Sequence, residues 1–375
     1  MGRPREVVVV GAGIVGASIA WHLAASGAAV TVVDGCAAGG GATANSFAWI
    51  NASWGNPEPY FRLRQRAMEE WRRLEAAVPA LNVSWTGGLC WDMPEEQLDV
   101  FARRHGDWGY GVRVAGQAEI ATIEPNLVAP QARAIHVADE AAVEPKNAAI
   151  VLLRDAELRG ARIQLDVPVA GFVARDGAVT GIRTGERVIS ADEVVLAVGA
   201  GTAAMLDTIG INFAMTTPPG LLAHSRQHKR LLNGIVLAPG LHMRQTRAGR
   251  LVAGSDFGGA NPGAEAEATA AALLAKARSM LKDADALELD FLTIGYRPTP
   301  KGGFPAIGRV SHMPGLYVAI MHSGVTLAPA IGRFAAEEIL SGQRDPLLAL
   351  YGVPEIQRQN RNIVHPDKTP PPTQT

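Results

Sequence analysis

The stretch Val7-Val-Val-Val-Gly-Ala-Gly-Ile-Val-Gly16 decides the fold of the N-terminal part of the chain. Its valine run predicts a buried strand, and the G-x-G-x-x-G spacing that follows predicts a tight turn into a helix. Gly11 permits the turn, Gly13 lets the backbone approach a pyrophosphate without an intervening Cβ, and Gly16 lets helix and strand pack closely. The stretch therefore predicts a phosphate-binding turn, with unpaired N–H groups and the positive end of the helix dipole facing the phosphates.

The residues after this turn complete a dinucleotide-binding pattern. A helix is predicted over Ile14–Ala25 with Gly27 as its stop, and Ala29–Val33 is typical of a second buried strand. Asp34 follows this strand, eighteen positions after Gly16. A carboxylate placed there can accept hydrogen bonds from both hydroxyls of a ribose and disfavours a 2′-phosphate. The alternative is an ordinary βαβ unit that binds no nucleotide.

Composition narrows the classes of protein to which the chain can belong. It has 375 residues, of which 47% are hydrophobic and 19% are charged, so we expect a soluble, globular protein of about two domains. The 35 basic and 36 acidic residues leave a formal net charge of -1. This balance gives no electrostatic reason to expect nucleic acid or an acidic membrane surface as a partner, and it favours small neutral or zwitterionic ligands.

Cysteine usage and hydropathy indicate a compartment. Cys36 and Cys90 are too few for a disulfide framework or a cysteine-built metal site, which is typical of a reducing environment. The nine histidines show no metal-site spacing. There is no run of eighteen apolar residues, and the first strand begins almost at the N-terminus, so we expect no transmembrane segment and no signal peptide. We therefore expect a cytoplasmic protein.

Local signals place further helices and strands. Proline starts and proline or glycine stops predict helices over 57–79 and 145–160. Short strands are predicted over 167–189, with Asp176-Gly177 as a hairpin signal, and a buried strand ending in small residues is predicted over 193–201.

The remaining segments indicate a second unit and a return to the first. Residues 81–140 are expected to form short strands with interposed helices, and 213–295 a different unit that includes a helix from about 264 to 281. A strand at 316–320 and a helix from about 327 to 340 follow. No internal repeat is present.

Taken together, these segments resemble the D-amino-acid oxidase superfamily of FAD enzymes, in particular its glycine oxidase, sarcosine oxidase and D-amino-acid dehydrogenase branch. The resemblance depends on the order of several short motifs. They are the N-terminal turn, Gly41-Ala-Thr-Ala-Asn-Ser46, the strands over 167–189 with Leu196-Ala-Val-Gly199, Pro218-Pro-Gly-Leu-Leu222, Gly249-Arg-Leu-Val-Ala-Gly254, Arg297-Pro298 and His322-Ser-Gly324.

The resemblance implies an α/β fold: a Rossmann-like FAD-binding domain and a second, α+β substrate domain with a mixed sheet. It implies a discontinuous FAD-binding domain over 1–50, 145–212 and 293–350, and a substrate domain over 51–144 and 213–292. The polar, proline-rich tail over 353–375 is expected to be disordered.

The resemblance also implies which residues bind FAD. Those implied at the pyrophosphate and adenosine ribose are Gly11, Gly13, Ile14, Val15, Gly16, Asp34 and Gly35; beside the pyrophosphate or isoalloxazine, Gly41, Ala42, Thr43, Asn45 and Ser46; near the adenosine, Val169, Ala197 and Gly199. The turn His322, Ser323, Gly324, Val325 and Thr326 would direct N–H groups toward the flavin N1–C2 carbonyl region. Neither cysteine lies where some sarcosine-type members attach flavin, so FAD is expected to be held noncovalently.

Two residues are candidates for the reaction. Arg297, which also adjoins the implied flavin site, matches the arginine that clamps the substrate carboxylate in the amino-acid-oxidising members. A guanidinium suits that role because its fork binds a carboxylate bidentately. A surface arginine that braces the loop is the alternative. His242 lies in a strand where related enzymes place a substrate-facing tyrosine, and a core histidine is its alternative.

Several other residues are relevant to the predicted substrate pocket or to the family pattern. Trp49, Asn51 and Trp54 are further candidates for its wall, although packing is the alternative for the aromatic residues. His224 and His228 lie in a polar connection, where we expect them to be solvated. The chain departs from the family pattern at Gly302-Gly303, where members often carry an acid-glycine pair, and at Met321, where glycine is frequent.

The resemblance implies oxidation of the C–N bond of an amino acid or secondary amine by hydride transfer to flavin N5, giving an imine that hydrolyses to an oxo acid. Oxygen or a respiratory carrier would then accept the electrons, and an oligomer is compatible with the sequence. Two alternatives stay open. One is an FAD-dependent 2-hydroxy-acid oxidoreductase, and the other is a flavin subunit of a hetero-oligomeric, opine-type dehydrogenase.

Overall fold

Two large β-sheets, one of six strands and one of eight, organise the part of the chain that the structure describes. The structure is a computed structural model that covers residues 3–52, 55–255 and 263–353. Trp54 and the tail beyond Val353 lie outside the described residues. The described strands are β1 (Glu6–Val10), β2 (Ala29–Val33), β3 (Trp49–Ile50), β4 (Gly88–Cys90), β5 (Val112–Gly116), β6 (Arg133–Val137), β7 (Ala141–Ala142), β8 (Arg162–Gln164), β9 (Gly171–Arg175), β10 (Ala178–Thr184), β11 (Arg187–Ser190), β12 (Glu193–Leu196), β13 (Met215–Thr216), β14 (Pro219–Gln227), β15 (Ile235–Ala238), β16 (Leu241–Gln245), β17 (Arg250–Gly254), β18 (Leu289–Tyr296), β19 (Thr299–Pro300), β20 (Ala306–Arg309) and β21 (Leu316–Ile320).

The helices lie between these strands. The described α-helices are α1 (Ile14–Ala25), α2 (Gly41–Ala44), α3 (Glu58–Ala77), α4 (Glu95–Asp107), α5 (Gln117–Ile123), α6 (Pro145–Leu158), α7 (Thr202–Asp207), α8 (Ala266–Met280) and α9 (Gly324–Ser341).

The valine run of β1 lies near the centre of the six-stranded sheet. The strand order is β20-β21-β12-β1-β2-β8, and every neighbouring pair is parallel except β20 with β21. Val7 to Val10 are all at most 2% exposed, as a strand covered on both faces requires. The sheet takes its strands from three separate stretches of the chain, 6–33, 162–196 and 306–320.

The eight-stranded sheet has the order β18-β14-β17-β16-β15-β4-β6-β5 and is mixed, because β15 and β4 are parallel while the other pairs are antiparallel. Its strands come from 88–137 and 219–296. Helix α8 packs on β14 and β18 through a separate hydrophobic cluster. The fold class predicted from the sequence is confirmed. The domain boundaries stay a prediction, and the boundary at 293 falls inside β18.

Most predicted elements are present, with shifted ends. Helix α1 and strand β2 have the predicted bounds, and a hairpin joins β9 to β10 at Asp176-Gly177, where both residues have positive φ. The first strand of the 167–189 region starts at Gly171 rather than near 167. Helix α9 starts at Gly324, one turn earlier than expected, because the Ser323 carbonyl accepts the N–H of Leu327 and starts the helical hydrogen bonds.

Candidate active site

The glycine turn between β1 and α1 is built on close backbone contacts. Gly11 has a φ of +111°, and a Cβ there would lie 2.4 Å from the carbonyl oxygen of Ala197. A Cβ on Gly16 would lie 1.9 Å from the carbonyl oxygen of Gly11. No side chain fits at either distance. The positive φ of Gly11 suits the tight turn predicted there, and the contact at Gly16 suits the close packing of helix and strand predicted for it. At Gly13 a Cβ would meet only the Thr43 Oγ1 atom, at 3.1 Å.

Asp34 and Thr43 hold the turn in place. The Ala12 N–H donates to Asp34 Oδ2 at 2.7 Å, and the Cys36 N–H donates to Asp34 Oδ1 at 2.8 Å. Each carboxylate oxygen keeps a lone pair for a further donor. The Ile14 N–H donates to Thr43 Oγ1 at 3.0 Å, so the expectation that all the first N–H groups of α1 are unpaired is wrong for Ile14. Thr43 comes from α2, which ties the second glycine-rich loop to the first.

This turn opens onto a cavity of about 750 Å³. Of the residues predicted to bind FAD or substrate, the cavity brings together Gly11, Gly13, Ile14, Val15, Asp34, Gly41, Ala42, Thr43, Asn45, Ser46, Ala197, Gly199, His242, Arg297, His322, Ser323, Gly324, Val325 and Thr326. Three predicted residues lie outside the lining. Gly16 is covered by the turn, the exposed Gly35 lies against Pro168, and Val169 packs against the hydrophobic cluster beneath the 171–190 strands.

Helix α9 directs its N-terminus at the cavity. The helix begins after Ser323 without a side-chain cap, and its residues Gly324, Val325 and Thr326 line the cavity wall. Two side-chain bonds fix this turn: the Trp71 Nε1–H donates to the Val325 carbonyl at 3.0 Å, and the Thr326 hydroxyl donates to the Trp49 carbonyl at 3.1 Å. The positive end of an 18-residue helix therefore faces the cavity.

The guanidinium of Arg297 packs directly against Gly220. Its Nη1 donates to the Pro219 carbonyl at 2.9 Å, and its backbone N–H donates to the Pro218 carbonyl at 3.0 Å. A Cβ on Gly220 would lie 2.2 Å from Nη2, so any other residue at 220 would displace the guanidinium. The Pro218-Pro-Gly motif and Arg297 are thus one structural unit on the cavity wall.

Arg64 is a cavity residue that the sequence analysis missed. It lies on α3, is 7% exposed and lines the cavity. Its Nε and Nη2 donate to the backbone oxygen and Oδ1 of Asn51 at 3.1 and 2.7 Å, and its Nη1 donates to Ser323 Oγ at 2.6 Å. Arg64 lies in a run of alternating charged and apolar residues that is typical of a surface helix, so this pattern did not predict that Arg64 is buried. The one sequence signal is its place opposite the exposed face of the amphipathic pattern.

The charges of Arg297 and Arg64 both act on His322. Burial, then Arg297, then Arg64 lower the pKa of His322 to about 4, so its imidazole is neutral at pH 7. Its Nδ1 is 3.4 Å from Ser323 Oγ. Asn51 and Trp49, predicted as wall residues, both line the cavity, and the Trp49 indole N–H donates to Glu140 at 2.8 Å.

His242 lies at the cavity wall and is 2% exposed. Its Nε2 donates to Asp92 Oδ2 at 2.7 Å, which fixes the ring, and no sequence signal indicated Asp92 as its partner. The expectation that His224 is solvated is wrong. Its ring stacks on Phe291 at 4.5 Å, and burial followed by Arg244 and Arg250 lowers its pKa to about 4.

Comparison with known proteins now identifies the family. The family model described as FAD dependent oxidoreductase (DAO) matches residues 6–338. The chain belongs to this family. It is an FAD-dependent oxidoreductase, which confirms the family resemblance, the enzyme class and the cofactor predicted from the sequence.

Similar proteins span nearly the whole chain. Glycine oxidase from Pseudomonas putida is 29% identical over 350 residues, which cover 87% of this chain and 92% of the relative. L-proline dehydrogenase from P. horikoshii has a TM-score of 0.83 at 24% identity, covering 94% of this chain and 97% of that one. Iminodiacetate oxidase from Chelativorans sp. has a TM-score of 0.80 at 24% identity, with coverages of 92% and 98%. The two structural likenesses show that the fold is shared.

The cavity fits the cofactor of the family. The glycine turn leaves no Cβ between its backbone and the cavity at Gly13, and Asp34 presents a carboxylate at the same end. A volume of about 750 Å³ is within the range of roughly 300–1,000 Å³ typical of cofactor sites. Gly11, Gly13 and Asp34 would hold the dinucleotide part. Cys36 lies beside Asp34, and Cys90 is buried in β4, away from the cavity lining.

No helix in 3–52, 55–255 or 263–353 has the length and apolar character needed to cross a bilayer. In the same ranges, no group of histidine, cysteine, aspartate and glutamate residues is arranged to hold a metal ion.

Proposed function

We propose that the enzyme oxidises the C–N bond of an amino acid or secondary amine, and that Arg297 binds the substrate carboxylate. The carbon bearing the nitrogen would lose a hydride and the nitrogen a proton. The resulting imine would be hydrolysed by water to an oxo acid and an amine or ammonia. We further propose that FAD is bound noncovalently. The relative named glycine oxidase supports the substrate class.

The observation that carries this proposal is the guanidinium of Arg297 on the wall of the cofactor cavity. Its bond to the Pro219 carbonyl and its seat on Gly220 fix its plane before any ligand binds. A fixed guanidinium binds a carboxylate in one orientation, and orientation is the main contribution the protein can make to a reaction whose electron acceptor is a cofactor.

The surrounding residues favour an anionic ligand in the same region. When bound, FAD supplies the acceptor for the hydride. His322 is neutral at pH 7 because burial, Arg297 and Arg64 lower its pKa to about 4, so it can hydrogen-bond a substrate without adding a charge. His242 is a candidate wall residue that Asp92 holds in one orientation. The N-terminus of α9 adds positive potential.

Anaerobic titration of the yellow holoenzyme tests the proposal. The panel would contain D- and L-amino acids, N-methyl amino acids and 2-hydroxy acids, and the loss of flavin absorbance would report oxidation of each compound. Release of ammonia or amine with the oxo acid separates amine oxidation from oxidation of a hydroxy acid. Bleaching by the purified chain alone argues against an opine-type subunit that needs a partner. Bleaching by hydroxy acids only would contradict the proposal.

Replacement of Arg297 tests its assigned role. We expect Arg297→Ala to weaken binding of carboxylate substrates by on the order of a hundredfold or more, because a charge-assisted bidentate pair is lost, and to leave FAD bound. Arg297→Lys should recover only part of the affinity, since lysine lacks the fork. Arg226→Ala, which removes an exposed arginine paired with Glu288, is the matched control. Unchanged substrate affinity in Arg297→Ala would refute the clamp.

A further inference from the structure

A second guanidinium on the cavity wall forms three anchoring hydrogen bonds, and no carboxylate of the described residues pairs with it. Arg64 uses one N–H of each of its three nitrogens to bind Asn51 and Ser323. A guanidinium has five N–H groups, so one remains on each terminal nitrogen. Each of these N–H groups can donate to an anionic oxygen such as that of a carboxylate. All acceptors of Arg64 are neutral, and it forms no ion pair with a carboxylate of the described residues.

The surroundings of Arg64 increase the positive potential. Its partner Ser323 is the residue from which α9 starts, so the positive end of that helix lies beside the guanidinium. Arg297 lines the same cavity, and both arginines act on His322. Asp34 is the one acidic residue among the described residues of the lining, and it belongs to the glycine turn. A buried charge is costly unless an opposite charge accompanies it, so this arrangement calls for an anionic ligand group.

The two arginines are fixed by separate structures. Arg297 rests on the Pro219-Gly220 backbone at the end of β18, whereas Arg64 projects from α3 and is held by Asn51 and Ser323. Each guanidinium keeps its own anchors and its own orientation. Two guanidinium groups that are oriented independently on one cavity suit two anionic groups better than one shared carboxylate.

We propose that Arg64 binds a second acidic group of the substrate. The enzyme's preferred substrates are then amino acids or secondary amines that carry two carboxylates, one bound by Arg297 and the other by Arg64. The second carboxylate lies either on the side chain or on the N-alkyl group. This inference rests on the proposed function, because it assigns the first carboxylate to Arg297.

Equilibrium binding of non-oxidisable acids tests the inference without turnover. The probes are two pairs matched in chain length, glutarate with pentanoate and succinate with butyrate, titrated into the holoenzyme by calorimetry. We expect the wild type to bind a dicarboxylate of each pair about tenfold or more tightly than its monocarboxylate partner, because a charged hydrogen-bonded contact is added. In Arg64→Gln this preference should disappear, while monocarboxylate affinity stays within about twofold.

Two further variants sharpen the comparison. Arg62→Gln removes a charge from the same helix at a position outside the cavity lining, and it should keep the dicarboxylate preference. Asn51→Asp replaces an amide that already accepts from Arg64 Nη2 with a carboxylate of the same shape. It supplies an internal counter-ion, keeps the anchors and should also abolish the preference. If Arg64→Gln fails to fold, Asn51→Asp still tests whether the dicarboxylate preference depends on Arg64.

Each result of these binding measurements either supports or overturns the inference. Loss of the dicarboxylate preference in Arg64→Gln or Asn51→Asp, with the preference intact in Arg62→Gln, supports the inference. A wild type with no preference overturns it, and so does a preference that survives in Arg64→Gln. Equal weakening of both acids in that variant also overturns it, because Arg64 would then share the first carboxylate or serve the cofactor. Since the probes are not oxidised, dicarboxylate binding without amine oxidation would refute the proposed function alone.

Discussion

Two glycines of the N-terminal turn have different physical roles, although one motif contains both. A Cβ on Gly16 would meet the backbone oxygen of Gly11 at 1.9 Å, and backbone cannot move aside. A Cβ on Gly13 would meet only a side-chain hydroxyl, that of Thr43, at 3.1 Å, and Gly13 lines the cavity. The contacts of Gly16 therefore concern the packing of the fold, whereas Gly13 borders the cavity.

This difference predicts opposite results for two alanine substitutions. Gly16→Ala should lower the stability of the apoprotein by about 1–3 kcal/mol or more through overpacking. Gly13→Ala should leave apoprotein stability within about 0.5 kcal/mol of the wild type and weaken FAD binding, because its methyl group enters the space next to the turn. Urea denaturation of the apoproteins and quenching of flavin fluorescence measure the two effects. A tolerated Gly16→Ala would contradict the assignment of roles.

At this scale, the sequence predicted residues that belong to a motif and missed those that depend on tertiary contacts. Gly11, Gly13 and Asp34 follow from spacing along one chain segment. Arg64 does not, because its anchors Asn51 and Ser323 lie 13 and 259 positions away, and its place on the amphipathic pattern is the one local feature that distinguishes it from the solvated arginines of α3. Asp92 was missed for the same reason, because its partner His242 lies 150 positions away.

At the scale of elements, the crossing of α1 and α9 positions both helix N-termini at the cavity. Gly332 makes this crossing close: a Cβ there would lie 2.3 Å from Ser18 Oγ and 2.6 Å from His22 Nδ1. Helix α1 is apolar all round, and its glycine, alanine and serine residues pack between the six-stranded sheet and the neighbouring helices. The turns and stop signals of the sequence predicted both helices, but they could not predict the contact between them, because it depends on small residues from distant segments.

Gly332→Ala should therefore destabilise the protein, whereas a glycine replaced in an exposed helix should not. We expect a loss of about 1–3 kcal/mol for Gly332→Ala, because the added methyl group forces the helices apart. Gly106→Ala in α4, where a Cβ would meet no atom within 4 Å, should instead gain up to about 1 kcal/mol from helix propensity. The urea midpoints of the two variants should move in opposite directions from the wild type. An unchanged or raised midpoint for Gly332→Ala would show that the crossing tolerates a wider separation of the two helices.

At the scale of the whole molecule, the fold class and the segments of the six-stranded sheet could be predicted, while the pairing within the eight-stranded sheet could not. Strand β4 pairs with β15 across 147 positions, Gly88 with Ile235. Such a non-local pairing is set by the packing of two distant segments and leaves no spacing rule in the sequence. The boundary expected at 293 falls inside β18 for the same reason, because that strand is placed by its partner β14.

Five histidines, of which His105 and His136 are buried and the others half-buried, respond to acid in the same way. The pKa values of His22, His224 and His322 are lowered to about 4, chiefly by burial, and burial also lowers the pKa values of His105 and His136. Each group binds fewer protons when folded than when unfolded, where its pKa is near 6.5. The contribution of these histidines to the free energy of unfolding is therefore fully present above pH 6.5, and it is lost as the pH falls toward 4.

His22 provides the sharpest test of this linkage. Its Nδ1 donates to the Ser18 carbonyl at 2.8 Å, and Arg333 lowers its pKa while Glu337 raises it, both from α9. Between pH 6.5 and 4, each such histidine makes the free energy of unfolding fall by at most about 1.4 kcal/mol per pH unit. In apoprotein carrying His22→Gln, the loss of stability between pH 6.5 and 4 should be smaller by up to this amount, whereas from pH 7 to 8 the two proteins should show parallel profiles. Urea denaturation of both apoproteins across this range measures the slopes, and identical slopes below pH 6.5 would show that His22 takes up its proton without unfolding the crossing of α1 and α9.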